Sequence, residues 1–341
     1  MNRRRLMLLG TVAAAVGGAA AYRGLSARSG DSTAVHSDNE ALEGLGWGAL
    51  AAPSRLTVAT KDGANLAVWD VGGTEAESTT VKSNGKSKKS TTPTVVLAHC
   101  WGCSHAIWVP VARRLVESGY RVVLYDQRGH GESTRGTSPL NIETLADDLS
   151  AVLEARGVRD AVLTGHSMGG MTVMGLAAHR PKVLEDRARS LVLVATAAAD
   201  MGVGLSQATN IAATLIASPL VTRALRAPNG HRFVRGVFGN NPVPAHMDLT
   251  RTLFADCSPA VRAGFLVSMT EMNLLEGIAT IGVPTTVVIG SRDRLTAPVR
   301  SRQMIDTIPG SRLVTLDGRG HMLPLEDPDA VADEIIRAAK G

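Results

Sequence analysis

Cysteine is scarce in this sequence: Cys100, Cys103 and Cys257 are the only three in 341 residues. So few exclude a disulfide-stapled scaffold, and the odd number leaves at least one free thiol. Cys100 and Cys103 have the spacing of half a zinc site. No second pair and no His-x3–5-His partner follows, so no metal is expected. Charge of one sign is equally lacking in the body of the chain. The formal net charge is +5, but Arg3, Arg4 and Arg5 fall in an acid-free start. Beyond residue 21 there are 33 basic against 31 acidic residues. Such a balance lacks the clustered basic footprint of a nucleic-acid binder. Internal repeats are absent too. With 44% hydrophobic and 20% charged residues, the chain is neither disordered, collagen-like nor a multi-span membrane protein.

The start of the chain breaks this evenness. Asn2-Arg3-Arg4-Arg5-Leu6-Met7 leads into an apolar run over 6–22 that contains the small residues Ala19-Ala20-Ala21. A basic start, a short apolar stretch and a small-residue end have the form of a secretory signal. The Arg-Arg-x-Leu order fits a twin-arginine export signal. Residues 1–22 are therefore expected to be a signal peptide or an N-terminal membrane anchor, and the protein to be exported or held in the cell envelope. Residues 23–54 read as a linker.

Periodicity organises the rest. Two strands, over 55–60 and 65–71, are joined by a turn at Asp62-Gly63. The 74–93 stretch holds Ser-Thr-Thr, Ser-Asn-Gly and Lys-Ser-Lys-Lys-Ser with almost nothing apolar, and reads as a flexible surface loop. Strands are then expected over 95–98, 121–125, 161–165, 190–196, 285–290 and 312–316. Their Val/Leu/Ile content is continuous rather than alternating, as in strands buried on both faces of a parallel sheet. Helical spacing fills 107–118, 142–156, 168–179, 299–307 and 329–339. The pattern predicts an α/β fold with a mostly parallel sheet and helices on both faces. The interval between residues 197 and 281 has no βα step. It carries helical spacing and Pro219, Pro228, Pro242, Pro244 and Pro259. It is too long for a structureless loop and reads as a helical insertion.

Gly165-His166-Ser167-Met168-Gly169 falls between an expected strand and an expected helix. That is the setting of a Gly-x-Ser-x-Gly nucleophile elbow, with Ser167 raised on a strained turn. A serine hydroxyl needs a base. Of nine histidines, His321 follows the last strand and so reaches the sheet edge where Ser167 stands, the edge at which open α/β sheets bind ligands. The base needs an acid to orient it. Asp293, after the preceding strand, gives the order Ser…Asp…His; Asp200 is the alternative. An oxyanion needs two donors. The backbone N–H groups of Met168 and Trp101 are the candidates. His99 is read as support for the Trp101 loop.

These residues carry a resemblance. His99-x-Trp101-Gly102, Asp126-Gln127-Arg128-Gly129-His130-Gly131-Glu132-Ser133, Gly165-His166-Ser167-Met168-Gly169-Gly170, Gly290-x-x-Asp293 and Gly320-His321 together resemble the α/β-hydrolase superfamily. The nearest branches are bacterial esterases, monoacylglycerol-lipase-like and perhydrolase-like proteins. The likeness covers residues 55–341. It implies an eight-stranded central sheet, a helical cap over 198–280, and Asp126, Arg128 and Ser133 in a structural loop. It also shows a departure: the family usually has His-Gly where this chain has His99-Cys100, which puts a side chain and a thiol into the oxyanion loop. Serine at the elbow points away from the dehalogenases and epoxide hydrolases of the superfamily, which use aspartate.

The expected function is hydrolysis of carboxylic esters, with acyl or lipid-like substrates and no metal or organic cofactor. Ser167, His321 and Asp293 would act as a triad, with the N–H groups of Trp101 and Met168 holding the oxyanion. The same constellation also serves thioester hydrolysis, acyl transfer, perhydrolysis and carbon–carbon bond hydrolysis. A non-catalytic ligand-binding scaffold is the reading from a different class.

Overall fold

The computed structural model describes residues 54–72, 80–83, 86–89, 93–199 and 206–341. Residues 1–53, where a signal or anchor and a linker are expected, and Asp200 lie outside the described residues.

Two strands open the fold, β1 (Ser54–Ala59) and β2 (Asn65–Val71), and Gly63 turns between them with φ of +84°. A separate antiparallel pair follows, β3 (Thr80–Ser83) with β4 (Lys86–Lys89). It falls in the stretch read from sequence as a flexible loop. The overlooked signal is Asn84-Gly85, the residue pair that favours a two-residue hairpin connection.

Strands and helices then alternate. β5 (Thr94–Ala98) leads through a 3-10 turn (His105–Trp108) to α1 (Val109–Glu117). The single helix expected over 107–118 is split because Pro110 sits in the first turn and sets its start. Next come β6 (Arg121–Tyr125), α2 (Ile142–Ala155) and β7 (Ala161–His166). The N-cap of α2 is Asn141, whose side chain accepts from Thr144 N at 2.8 Å. α3 (Met168–His179), α4 (Pro181–Arg187) and β8 (Ala188–Val194) follow.

The insertion is helical, as expected. It contains α5 (Ser206–Ile216), α6 (Pro219–Arg226), α7 (His231–Val234), α8 (Pro244–Asp256), α9 (Pro259–Glu271) and α10 (Leu275–Ile278). Pro219, Pro244 and Pro259 each open a helix, where a missing N–H costs nothing. Its two ends meet: Ala199 bridges Asn273, and Leu274 N donates to Ala198 O at 2.8 Å. The chain closes with β9 (Thr285–Gly290), α11 (Pro298–Thr307), β10 (Arg312–Leu316), α12 (Leu323–Glu326) and α13 (Pro328–Lys340).

The main sheet has eight strands in the order β1-β2-β6-β5-β7-β8-β9-β10. β2 runs antiparallel to both its neighbours, β1 and β6, and every other pairing in this sheet is parallel. Alternate residues of each strand face opposite sides. Val95 and Leu97 join one hydrophobic core with α1 and α13, while Val96 and Ala98 join the other with α2 and α3. Burial on both faces explains the unbroken apolar runs in the sequence. The six parallel strands all end at one edge, and every loop with chemistry in it leaves from there.

Candidate active site

The sharpest feature at that edge is the turn between β7 and α3. Ser167 has φ of 53° and ψ of −117°, a left-handed conformation that a side chain adopts only under constraint. The constraint is visible in its neighbours. A Cβ on Gly165 would stand 2.2 Å from Gly169 O, and one on Gly169 would stand 2.1 Å from Ala98 O. Hence only glycine fits on either side of the turn. Ser167 N donates to Val194 O at 2.9 Å, and Ser167 O accepts from Thr196 Oγ1 at 2.7 Å. The backbone is thus pinned to β8. Ser167 occupies the N-cap of α3 but makes no capping bond, and its hydroxyl has no hydrogen bond among the described residues.

His321 follows β10 and Asp293 follows β9, and the structure joins them: His321 Nδ1 lies 2.9 Å from Asp293 Oδ2. Both are buried. Asp293 also accepts from Leu295 N at 2.8 Å, Thr296 N at 3.0 Å and Thr296 Oγ1 at 2.7 Å. Burial opposes the carboxylate, but His321 and the Thr296 donors outweigh it and hold its pKa below the ordinary value. His321 is tied to the elbow through its backbone. His166 Nε2 lies 2.8 Å from His321 O, and the two rings stand 5.0 Å apart. Ser167 is the next residue along.

The loop carrying His321 is held by a residue that sequence reasoning missed. Glu326, in α12, accepts from Gly320 N at 2.9 Å and Met322 N at 3.0 Å, the two neighbours of His321. The same carboxylate accepts from Gly239 N of the cap at 2.7 Å. Thr296 was also missed. Its only signal was its place three residues after Asp293, the spacing at which a carboxylate caps a turn.

The oxyanion loop follows β5. The backbone N–H groups of Trp101 and Met168 have no acceptor among the described residues, so both remain available to an incoming oxygen. Cys100 is buried, and its φ is not positive. The left-handed step of this loop falls at Gly102, φ +71°, where a Cβ would meet Phe254 at 2.2 Å. The backbone angles at position 100 therefore do not require glycine. His99 supports the loop, as expected. Gln127 N donates to its Nε2 at 2.9 Å, which leaves Nδ1–H to donate to Cys100 O at 2.8 Å. Thr172 and Gln127 Nε2 extend this network to α3. Asp126, Arg128 and Ser133 are spent inside the scaffold. Arg128 pairs with Asp148 at 2.6 Å and Asp62 at 2.8 Å, Asp126 with His105 at 2.9 Å, and Ser133 Oγ with Asp126 O at 2.6 Å.

The cap lies directly on these loops. Phe254 packs edge-on against Trp101, Phe265 lies against His130, and Trp101 Nε1 donates to Arg262 O at 3.0 Å. Ser167 is only 7% exposed beneath them. A cavity of about 500 Å³ lies elsewhere, between α5, α9 and Leu140, and none of Ser167, Asp293 or His321 lines it. In chemical terms, a strained hydroxyl and two N–H groups, none with a partner among the described residues, and a carboxylate-oriented imidazole all lie on loops that leave one edge of the sheet. Residue types of this kind are those that acyl transfer requires: a nucleophile, an oriented base and donors for an oxyanion. Among the described residues no cluster of His, Cys, Asp or Glu could hold a metal ion.

The alpha/beta hydrolase family pattern matches residues 95–334. The chain belongs to that family, and its eight-stranded sheet has the family's architecture. It is similar to a pimeloyl-(acyl-carrier protein) methyl ester esterase of Xanthomonas campestris, with 27% identity over 72% of this chain and 94% of that protein. It is also similar to 3-oxoadipate enol-lactonase 2 of Acinetobacter baylyi, with 25% identity over 70% of this chain and 85% of that protein. Among solved structures, a hydrolase from Pseudomonas aeruginosa superposes with a TM-score of 0.65 at 25% identity, covering 85% of this chain and all of the other.

Proposed function

We propose that the protein is a serine hydrolase that cleaves carboxylic esters through an acyl-enzyme. Ser167 attacks the acyl carbonyl. His321 accepts the hydroxyl proton and returns it to the leaving alcohol, while Asp293 keeps the imidazole oriented and stabilises its charged form. The N–H groups of Trp101 and Met168 receive the oxyanion. Water, deprotonated by His321, then releases the acid. The observation that carries this reading is the His321–Asp293 hydrogen bond beside a serine whose backbone is strained and whose hydroxyl is unspent. Two of the similar proteins are named for ester-bond hydrolysis, which supports the same bond type here. The apolar cap favours acyl or lipid-like substrates. The leader, with Arg3, Arg4 and Arg5 before an apolar run, supports export or attachment at the cell envelope.

The test is hydrolysis of p-nitrophenyl esters of increasing acyl length by the purified protein, beside a Ser167→Ala variant. Turnover that the variant abolishes is the expected result. A folded wild-type protein that turns over no ester, or a variant that keeps its rate, would refute the reading.

A further inference from the structure

Large apolar side chains are not exposed evenly over this molecule. Among the described residues they are Ile211, Leu220, Phe233 and Val243 in the cap, and Leu295 and Val299 beside Asp293. All six belong to segments that leave the carboxyl edge of the sheet. The outer helices α1, α2, α4 and α13 expose none. Leu220 is 66% exposed and Phe233 50%, on consecutive helices that both pack on α8.

Charge is skewed in the same region. From residue 201 to 247 the sequence contains no aspartate or glutamate, but it contains Arg223, Arg226, Arg232 and Arg235. All four arginines are exposed. Arg226 pairs with Asp256 at 2.8 Å, and Arg235 donates to the carbonyls of Phe238, Gly239 and Asn240. Arg223 and Arg232 make no ion pair among the described residues. Across the site rim, Arg292 and Arg294 are exposed on either side of buried Asp293. Exposed apolar side chains on segments that also carry exposed arginines, with no acid between residues 201 and 247, match the chemistry of a lipid interface with phosphate headgroups above acyl chains. A bilayer supplies both chemistries, anionic phosphates and acyl chains, in one continuous surface.

We infer that the active-site face docks on the surface of an anionic phospholipid bilayer. Leu220 and Phe233 enter the acyl boundary, and Arg223, Arg232, Arg292 and Arg294 lie at the phosphates. This rests on the ester-hydrolase reading and narrows it: the substrates are acyl esters carried in or at that bilayer, delivered to the mouth of the cap. The expected attachment through residues 1–22 would keep the face near its target, but the docking surface is separate from it.

The experiment uses the full chain with Phe233→Cys carrying an environment-sensitive fluorophore, since the three native cysteines are buried. Vesicles contain phosphatidylglycerol and phosphatidylcholine in equal parts, or phosphatidylcholine alone. The expected result is a blue shift and stronger emission with the anionic vesicles, reversed by salt and largely absent with the neutral ones. Each cationic group at such a surface is worth about fivefold in partition. Adding Arg223→Gln and Arg232→Gln should therefore weaken the shift about 25-fold in lipid concentration. Hydrolysis of a soluble p-nitrophenyl ester should stay at the level of the labelled parent. No shift with either vesicle would overturn the proposal, because attachment through residues 1–22 alone leaves the cap reporter in water. An equal shift with both vesicles would overturn the assignment of the arginines. A shift that grows with protein concentration and without vesicles would assign the face to a second copy of the chain instead. None of these outcomes depends on ester turnover, so a failure here is distinct from a failure of the hydrolase reading.

Discussion

Glu326 touches no reacting group on the proposed reading, yet its removal should slow the reaction. Its two oxygens receive three backbone donors, Gly239 N at 2.7 Å, Gly320 N at 2.9 Å and Met322 N at 3.0 Å. Two of these residues flank His321, so one carboxylate fixes the backbone on both sides of the imidazole. Glu326→Gln preserves the shape, but it replaces one acceptor oxygen with an NH2 group that faces an N–H. At least one charge-assisted bond is lost, worth about 1.5–3 kcal/mol. For a domain of this size that corresponds to a fall in Tm of about 5 °C. If the imidazole then samples orientations outside reach of Ser167, kcat should fall at least about tenfold, equivalent to about 1.4 kcal/mol of barrier, with little change in KM. Circular dichroism melts and initial rates on p-nitrophenyl butyrate, measured well below the variant's Tm, separate the two effects. A variant with a lowered Tm and an unchanged kcat would show a merely structural residue and refute the positioning argument. Unchanged values of both would refute the hydrogen-bond assignment itself.

Acid should destabilise this fold earlier than carboxylate protonation requires. Burial lowers the pKa of His99 and His166 to about 4 and of His130 to about 3, against 6.5 in the unfolded chain. The unfolded chain therefore takes up these protons first as pH drops below 6.5, and stability falls until the folded values are reached. At pH 5 each histidine costs about 2 kcal/mol. A urea midpoint that stays flat between pH 6.5 and 5 would contradict this. The thiols should resist reagents. Burial raises Cys257 to about 12, and the hydrogen bond to Cys100 together with burial pushes Cys103 well above its ordinary value. Iodoacetamide should leave native activity intact and label only unfolded protein; rapid inactivation would count against the buried placement of Cys100. Gly169→Ala would force a Cβ to 2.1 Å from Ala98 O. It should yield little soluble protein or cost more than about 3 kcal/mol, and a variant with wild-type Tm would overturn the packing argument.

The α/β rhythm was legible because strands buried on both faces must be apolar at every position. The stretches read as strands at 65–71, 121–125, 285–290 and 312–316 match β2, β6, β9 and β10 at both ends. Elements whose form is set by one local device were harder to see. The hairpin β3–β4 is marked in the sequence only by an Asn-Gly pair in a lysine-rich stretch, and α4 and α12 are too short to show a period. At the site, residues with chemistry of their own stood out at strand ends: Ser167, Asp293 and His321. Glu326 and Thr296 did not, because they act only through contacts that close when distant loops meet. The contact between Gly239 and Glu326 joins residues 87 apart in the chain. No periodicity encodes such a contact.

The choice among histidines shows where residue type stops being informative and partners begin to decide. Two buried histidine–carboxylate pairs leave this sheet edge, and type alone does not separate them. His105 Nδ1 is 2.9 Å from Asp126 Oδ1, the same distance as His321 from Asp293. But His105 stacks flat on Trp69 of β2, with ring centroids 3.6 Å apart, on the far side of β6 and β5 from β7. Its carboxylate is further occupied by the backbone N–H groups of His105 and Glu132, so that pair closes a loop. His99 has both ring nitrogens engaged by backbone groups. His130 and His166 use one ring nitrogen each on a carbonyl and are kept neutral by burial. Among the described residues only His321 combines a carboxylate on Nδ1 with a backbone tether to the residue beside Ser167. The assignment of the base to His321 therefore rests on this exclusion as much as on the motif order. An active His321→Ala variant would remove the base from the scheme, and the Ser167 reading would fall with it.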